Sequence, residues 1–376
     1  MNKDKKGLYM TPMIERLDFP MTVFRGKGAL HSLGAFCKTL GTNALVFGGQ
    51  TALAKTQELI WDSLSQAGVG ITDTECYGGE SSRHNINVLV KKVRQVQADV
   101  LIAVGGGKAL DTGKLVADIC ELPLITIPTI AATCAAITPV SVVYADDGEF
   151  VETVVFKNCP AGTIIDTDII LQAPLRWLAA GMGDTLAKWY ECRVSIQCAQ
   201  QTSLTFCALA KGYELVERFG RQARQAVENR KHSDALDWTV DAIILYAGLA
   251  SSLGGEKIRS TAAHAAGHGL AVGYGNLFLL ALENCSDEEI SEAMRIAEQC
   301  AVPTNLDQIL NLTVAELQTV AQSILLTFDT KNMLFAATED MVLKAIQRVN
   351  CLARRRVTER LTTEKVALAS GKKTFA

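Results

Sequence analysis

The chain has 376 residues, 48% of them apolar and 20% charged, with a formal net charge of −3. That length exceeds one ordinary core and predicts two domains, and the apolar share excludes a disordered chain. The charge gives no electrostatic case for nucleic acid, no apolar run reaches the length of a membrane span, and Met1–Lys6 lacks the apolar segment of a secretory signal. Eleven cysteines without a Cys-x-x-Cys pair are expected to be reduced residues of a cytoplasmic protein.

In chain order, Arg16 to Phe24 is expected as a strand, followed by a turn at Arg25–Leu30 into a helix toward Leu40. Ala44 to Phe47 is a second strand ending in Gly48-Gly49-Gln50-Thr51, and Ala52 to Ala67 the helix after it. Gly70 to Tyr77 and Ile86 to Val96 give the next strand and helix. Val100-Leu101-Ile102 then reads as a buried strand running into Gly105-Gly106-Gly107-Lys108 and the helix Leu110 to Ile119. A glycine-rich turn between strand and helix suits a phosphorylated ligand, because the backbone can approach closely and the helix N–H groups favour negative charge. The third glycine of a Rossmann fingerprint is absent, and the spacing of Gly107, Gly113 and Lys114 does not make a Walker A loop.

Leu122 to Pro128 is the next strand. It leads into a loop, Pro128 to Pro139, rich in small and hydroxyl residues that suit a cofactor cleft. Val140 to Ala145 and Val151 to Phe156 are expected as a hairpin around Asp146-Asp147-Gly148. Thr163 to Leu171 closes this region, and Ala173-Pro174 marks its boundary. Alternating strands and helices at this spacing predict a parallel sheet covered on both faces, with ligands beyond the carboxyl ends of its strands. Gly48-Gly49 and Gly105–Gly107 would both lie on that edge.

From Leu175 the pattern is helical: Met182–Ile196, Leu204–Val227, Asp234–Ser252, Arg259–His268, Asn276–Glu283, Asp287–Cys300, Val314–Thr327 and Glu339–Arg354. Ser286 with Glu289, and Thr313 with Glu316, have capping-box spacing. Arg354-Arg355-Arg356 is expected as a solvated helix end. The chain therefore divides into an α/β Rossmann-like domain over residues 1–174 and an all-helical domain over 175–376, with a cleft between them. Asp184 and Lys188 are four apart, on one helix face. His264 and His268 are also four apart, a spacing that two imidazoles holding Zn²⁺ or Fe²⁺ can use, although a satisfied core histidine has the same signature.

Four stretches together resemble the iron-containing (group III) alcohol dehydrogenase and glycerol dehydrogenase family, above all its bacterial hydroxycarboxylate dehydrogenases. They are Gly105–Asp111, Pro128–Ala136, Gly183–Glu191 and Ala262–Ala265, in the family's order. The resemblance implies a dehydroquinate synthase-like architecture and an NAD(P)-dependent oxidoreductase. The cofactor, NAD or NADP, would be held by Gly48, Gly49, Gly105, Gly106, Gly107, Lys108, Asp111, Thr129, Ala132, Thr138, Val140 and Tyr144. Asp184, His264 and His268 would bind Zn²⁺ or Fe²⁺, which polarises the substrate oxygen. Homo-oligomers are common among such relatives, and a small molecule is the expected partner.

Three departures from the family pattern bear on the substrate and the metal. Cys134 stands where glycerol dehydrogenases carry a polyol-binding aspartate, which suits a substrate bringing its own carboxylate. The second strand ends in Gly48-Gly49 rather than an acidic residue, which opens the site to NADP, although no arginine nearby supports NADP positively. The stretch between His264 and the family's last metal histidine is shortened, so that His268-Gly269 falls on that motif, and Lys188 stands where the iron enzymes have a histidine. Lys188 is expected in the catalytic and substrate machinery, orienting a carboxylate. The expectation is a metal-assisted dehydrogenase of a small 2-oxo or 2-hydroxy acid or related alcohol; the alternative is a metal-free, redox-inactive member that binds dinucleotide or metabolite.

Overall fold

The computed structural model describes residues 22–197, 204–254, 261–265, 270–333 and 335–369. The strands are β1 (Thr22–Gly26), β2 (Asn43–Gly48), β3 (Gly70–Cys76), β4 (Val100–Gly105), β5 (Leu124–Pro128), β6 (Val140–Tyr144), β7 (Phe150–Val155) and β8 (Gly162–Asp166). The helices of this first region are α1 (Leu33–Cys37), α2 (Gln50–Gln66), α3 (Arg83–Val96), α4 (Gly107–Cys120) and α5 (Thr167–Leu171). Six strands form one parallel sheet in the order β1-β8-β5-β4-β2-β3, and β6 and β7 form the expected hairpin.

The four inner strands β8, β5, β4 and β2 are buried on both faces, which is why they read as apolar runs rather than as alternating ones. Ala44, Val46, Val100, Ile102 and Val104 point into a core shared with α1 and α2, including Leu33, Leu53 and Ile60. Leu45, Phe47, Leu101 and Ala103 point the other way, into a core that continues without interruption into the helical region.

The helical region comprises α6 (Leu175–Gln197), α7 (Leu204–Glu228), α8 (Asp234–Asp241), a π-helical turn Ala242–Tyr246, α9 (Ala247–Gly254), α10 (Ala262–Ala265), α11 (Leu270–Leu282), α12 (Asp287–Gln299), α13 (Val314–Leu326), α14 (Phe328–Lys331) and α15 (Glu339–Ala369). Both capping boxes form: Ser286 and Thr313 accept the N–H groups of Glu289 and Glu316, whose carboxylates reach back. The segment Asp234–Leu253 has the length and apolarity of a membrane span, but 56% of its window is buried within the protein.

One expected stretch is refined and two are corrected. Thr163–Leu171 is a strand and then a helix. Its divider is Asp166, whose carboxylate caps α5 through Asp168 N–H (3.0 Å) and also accepts from Gly28 and Leu30 N–H groups. The stretch Asp234–Ser252 is interrupted by the π turn. Arg354–Arg356 lies in mid-helix; Arg354 pairs with Asp307 (3.0 Å) and Arg356 with Glu298 (3.2 Å), so side chains rather than a helix end answer the charge.

The α/β and helical regions are clasped beside β1. Arg25 pairs with Asp241 of α8 and lies over the Trp238 ring at 5.9 Å. Nearby, Arg230 donates to the carbonyls of Leu171 and Ala173 (2.9 Å to Ala173), and His232 bridges Thr167 and Asp237. Burial pushes the Asp241 carboxyl up to about 6, against the opposing pull of Arg25. A carboxyl whose folded pKa is raised contributes stability at low pH that is lost as pH rises through the folded value. The melting temperature of Asp241→Asn relative to wild type should therefore climb between about pH 4 and pH 7 and level off above it. A difference independent of pH would mean that Asp241 ionises in the folded protein as it does in the unfolded chain.

Candidate active site

The strand order determines where a ligand can sit. After β2 the chain moves outward to β3; after β4 it moves the opposite way to β5. The crevice between the carboxyl ends of β2 and β4 is therefore a topological switch point, the position where open α/β sheets bind ligands. Its two lips are the glycine turns. Gly105 adopts φ +150°, where L side chains are strained, and a Cβ on Gly106 would come within 2.7 Å of Ile130 Cδ1. The helices that follow, α2 and α4, start at Gly49 and Gly106 with no side-chain cap, so their first N–H groups remain available to a ligand. A cleft of about 1180 Å³ runs from these turns to α6. Its walls include Gly49, Gly105, Gly106, Gly107, Lys108 and Thr129 on one side. Ala132, Cys134, Thr138, Val140, Tyr144, Asp184 and Lys188 complete them.

Two predicted cofactor residues serve the backbone instead. Gly48 lies beneath the cleft, where a Cβ would meet the Val104 carbonyl at 2.2 Å. Asp111 touches the cleft, but its carboxylate is directed inward, to Lys114 Nζ (2.8 Å) and the Val142 N–H (3.2 Å). Burial raises its pKa, opposed by Lys114. Lys114 in turn donates to the carbonyls of Ala135, Thr138 and Val140, fastening the small-residue loop to α4. Lys108 extends the other way, pairing with Glu80 (2.5 Å) and lying 5.3 Å from the Tyr144 ring centre.

At the far end of the cleft, Asp184, Lys188 and Glu191 occupy one face of α6 at i, i+4 and i+7. Lys188 Nζ donates to Asp184 Oδ2 (2.9 Å), and His264 bridges both carboxylates, through Nδ1 to Glu191 Oε2 (2.7 Å) and Nε2 to Asp184 Oδ1 (3.3 Å). Glu191 also accepts the N–H groups of Thr261 (2.7 Å) and His264 (3.2 Å), so one carboxylate both starts α10 and sets the imidazole. Burial alone would favour the neutral forms. The partners outweigh it: Lys188 and then His264 hold the Asp184 carboxyl well below its ordinary range, Asp184 holds Lys188 protonated, and Glu191 foremost raises His264 to about 10. Cys134 Sγ lies 3.8 Å from Ser251 Oγ on the facing wall.

Asp184 and His264 fit as two donors to a divalent ion. Their 3.3 Å separation is close to that of two ligands each about 2.1 Å from one tetrahedral ion, and Glu191 on Nδ1 leaves Nε2 for the metal. The Lys188 ammonium on the other Asp184 oxygen opposes a second cation. Among the described residues no group of three His, Cys, Asp or Glu side chains is positioned for a metal; His268, the third predicted ligand, lies outside the described residues. Sequence reasoning missed the roles of Glu191 and Lys114. Helical spacing from Asp184 and from Asp111 was the signal for each.

Residues 20–167 match the family model of iron-containing alcohol dehydrogenases. A glycerol dehydrogenase of Pseudomonas putida is 33% identical over 319 residues, 79% of this chain and 86% of that protein. Hydroxycarboxylate dehydrogenase A of Escherichia coli is 39% identical over 177 residues, 46% of this chain and 49% of that protein. The crystal structure of glycerol dehydrogenase from Schizosaccharomyces pombe superposes with a TM-score of 0.81 over 91% of this chain and 92% of that one, at 28% identity.

Two outcomes follow from the geometry. Glu191→Ala frees the imidazole and should weaken Zn²⁺ binding about 10- to 100-fold in a calorimetric titration, whereas Lys188→Met removes a repelling charge and should tighten it; equal affinities in all three proteins would place the ion elsewhere. Asp111→Ala leaves the Lys114 ammonium buried without its counterion and should cost about 3–5 kcal/mol in urea unfolding, and a loss below about 1 kcal/mol would mean that the three carbonyls alone satisfy it.

Proposed function

Because the chain belongs to the iron-containing alcohol dehydrogenase family, we propose that it transfers hydride between a nicotinamide dinucleotide and a small 2-oxo or 2-hydroxy acid or related alcohol, with Zn²⁺ or Fe²⁺ at Asp184 and His264. The supporting observation is one continuous cleft with an uncapped glycine turn at one end and a buried ammonium beside a metal-competent pair at the other. When bound, the dinucleotide supplies the hydride at its nicotinamide C4 and the ion acts as a Lewis acid toward the substrate oxygen. The N–H groups of Gly107 and Lys108 hold the pyrophosphate, and the small side chains of Ala132 and Ala135 leave room for the ring. Lys188 anchors the substrate carboxylate, and Cys134, which carries no charge to repel it, lines the same pocket. His268 as third ligand, the division into domains at residue 174, a homo-oligomeric state and a cytoplasmic location belong to the same proposal.

The direct test follows reduced-nicotinamide absorbance with 2-oxo acids, neutral aldehydes and polyols, in metal-supplemented buffer. Turnover should be best with 2-oxo acids, and Asp184→Ala should lose at least about 100-fold in kcat/KM. Lys188→Ala should raise KM for acids about 10- to 100-fold, the worth of a charge-assisted hydrogen bond, and leave a neutral aldehyde within about twofold. The ion pair on Asp184 favours one competing reading, a metal-free protein that binds dinucleotide without redox chemistry. Metal content below a tenth of an equivalent per chain after incubation with Zn²⁺, together with no turnover on any of these substrates, would establish that reading instead.

A further inference from the structure

The charges along the cleft are unevenly distributed. Among the described residues Lys55, Lys108, Arg176 and Lys188 line it, against two carboxylates, Asp111 and Asp184, each already paired with a lysine. Lys108 is itself paired with Glu80. The wall made by the end of β2 and the first turns of α2 carries no carboxylate at all: it presents Gly49, Gln50, Thr51, Ala52 and Lys55. Thr51 and Lys55 are four apart and share one face of α2.

The direction of the cleft assigns this wall its occupant. Hydride chemistry belongs with Asp184 and Lys188, so a dinucleotide whose pyrophosphate rests on the β4 glycine turn must send its adenosine half the other way, over β2. There the ribose 2′ position decides between the two forms of the cofactor. An acidic side chain at that strand end accepts the hydroxyl of the unphosphorylated form, and a cation accommodates the 2′-phosphate. Among the described residues this wall offers no acceptor carboxylate. It offers an ammonium, a threonine hydroxyl, a glutamine amide and the uncapped N–H groups that begin α2.

We infer that the wall over β2 is built for a 2′-phosphate, that the dinucleotide used is NADP(H), and that Lys55 is its specificity-determining residue. The inference rests on the cleft being a dinucleotide site. Lys55 is solvent-exposed, so its contribution is screened by salt. The preference it creates is about tenfold rather than thousandfold, and shrinks as ionic strength rises.

The test is direct binding of NADPH and NADH to the full-length protein, read by energy transfer from tryptophan to the reduced nicotinamide (Trp177 lines the cleft), at about 0.05 and 0.5 M salt. Wild type should bind NADPH about tenfold or more tightly than NADH at the lower salt. Lys55→Ala, on an exposed helix face, should remove most of that preference by weakening NADPH several-fold more than NADH, and Lys55→Glu should reverse it. Competition by 2′,5′-ADP, but not by 5′-AMP, should follow the same pattern. Equal affinity for the two cofactors, or a preference that survives Lys55→Ala, overturns the inference and leaves the dinucleotide reading intact. Failure of both cofactors to bind removes the dinucleotide reading itself, and the assignment of Lys55 with it.

Discussion

The reversal of strand order between β2 and β4 is the constraint on which the candidate site depends. A parallel sheet must return its chain across one face or the other after every strand, and at this pair the returns go in opposite directions. The crevice left there cannot be filled by a connecting loop. Both bordering strands end in glycine, so the backbone itself forms the lips. Packing and backbone conformation fix those glycines: a side chain at Gly48 would strike the Val104 carbonyl, and Gly105 adopts a φ of +150°. The same core that buries Leu45, Phe47, Leu101 and Ala103 continues under α6, which holds the far end of the cleft at a fixed distance from its mouth.

Buried charge is managed in two places, by different means. At Asp111–Lys114 the pair is internal to α4 and its remaining donors go to backbone carbonyls of the loop Ala135–Val140, so the ionic contact becomes a fastening for that wall of the cleft. At α6 the pair is left at the cleft surface. Asp184 and Lys188 face the cavity, while Glu191 and His264 stand behind them as support. An ion pair of this kind contributes little to stability once desolvation is counted. Its place at the cleft surface is better explained by what it can exchange its contacts with.

Much of this was legible in the sequence because strands buried on both faces, bounded by glycine, leave a local signature. So do Ser and Thr caps with Glu three residues on. What was not legible depends on contacts between distant segments. Nothing near Thr163 announces that the Asp166 carboxylate, besides capping α5 locally, will also hold the Gly28 and Leu30 N–H groups. The arginine run at 354–356 reads as a helix end until Asp307 and Glu298 appear beside it. Lys55 looks like any solvated helix residue; only the cleft shows that its side of α2 lines a cavity. The family resemblance supplied Asp184 and His264, but not the carboxylate that orients the imidazole, because that role exists only where α6 meets α10.

The four groups at the end of the cleft also constrain the substrate. As they stand, Glu191, His264, Asp184 and Lys188 balance: two negative charges and two positive ones. A divalent ion taken by His264 Nε2 displaces its proton, so the balance moves to one positive charge in excess, held where burial makes uncompensated charge expensive. A polyol or a simple aldehyde brings nothing to cancel it. Under the proposed function a 2-oxo acid would bring one carboxylate, and Lys188 beside Asp184 would be placed to receive it. On that proposal Lys188 would weaken the site for a metal alone and strengthen it for a metal together with an anionic substrate. A residue placed solely to exclude the ion would do only the first.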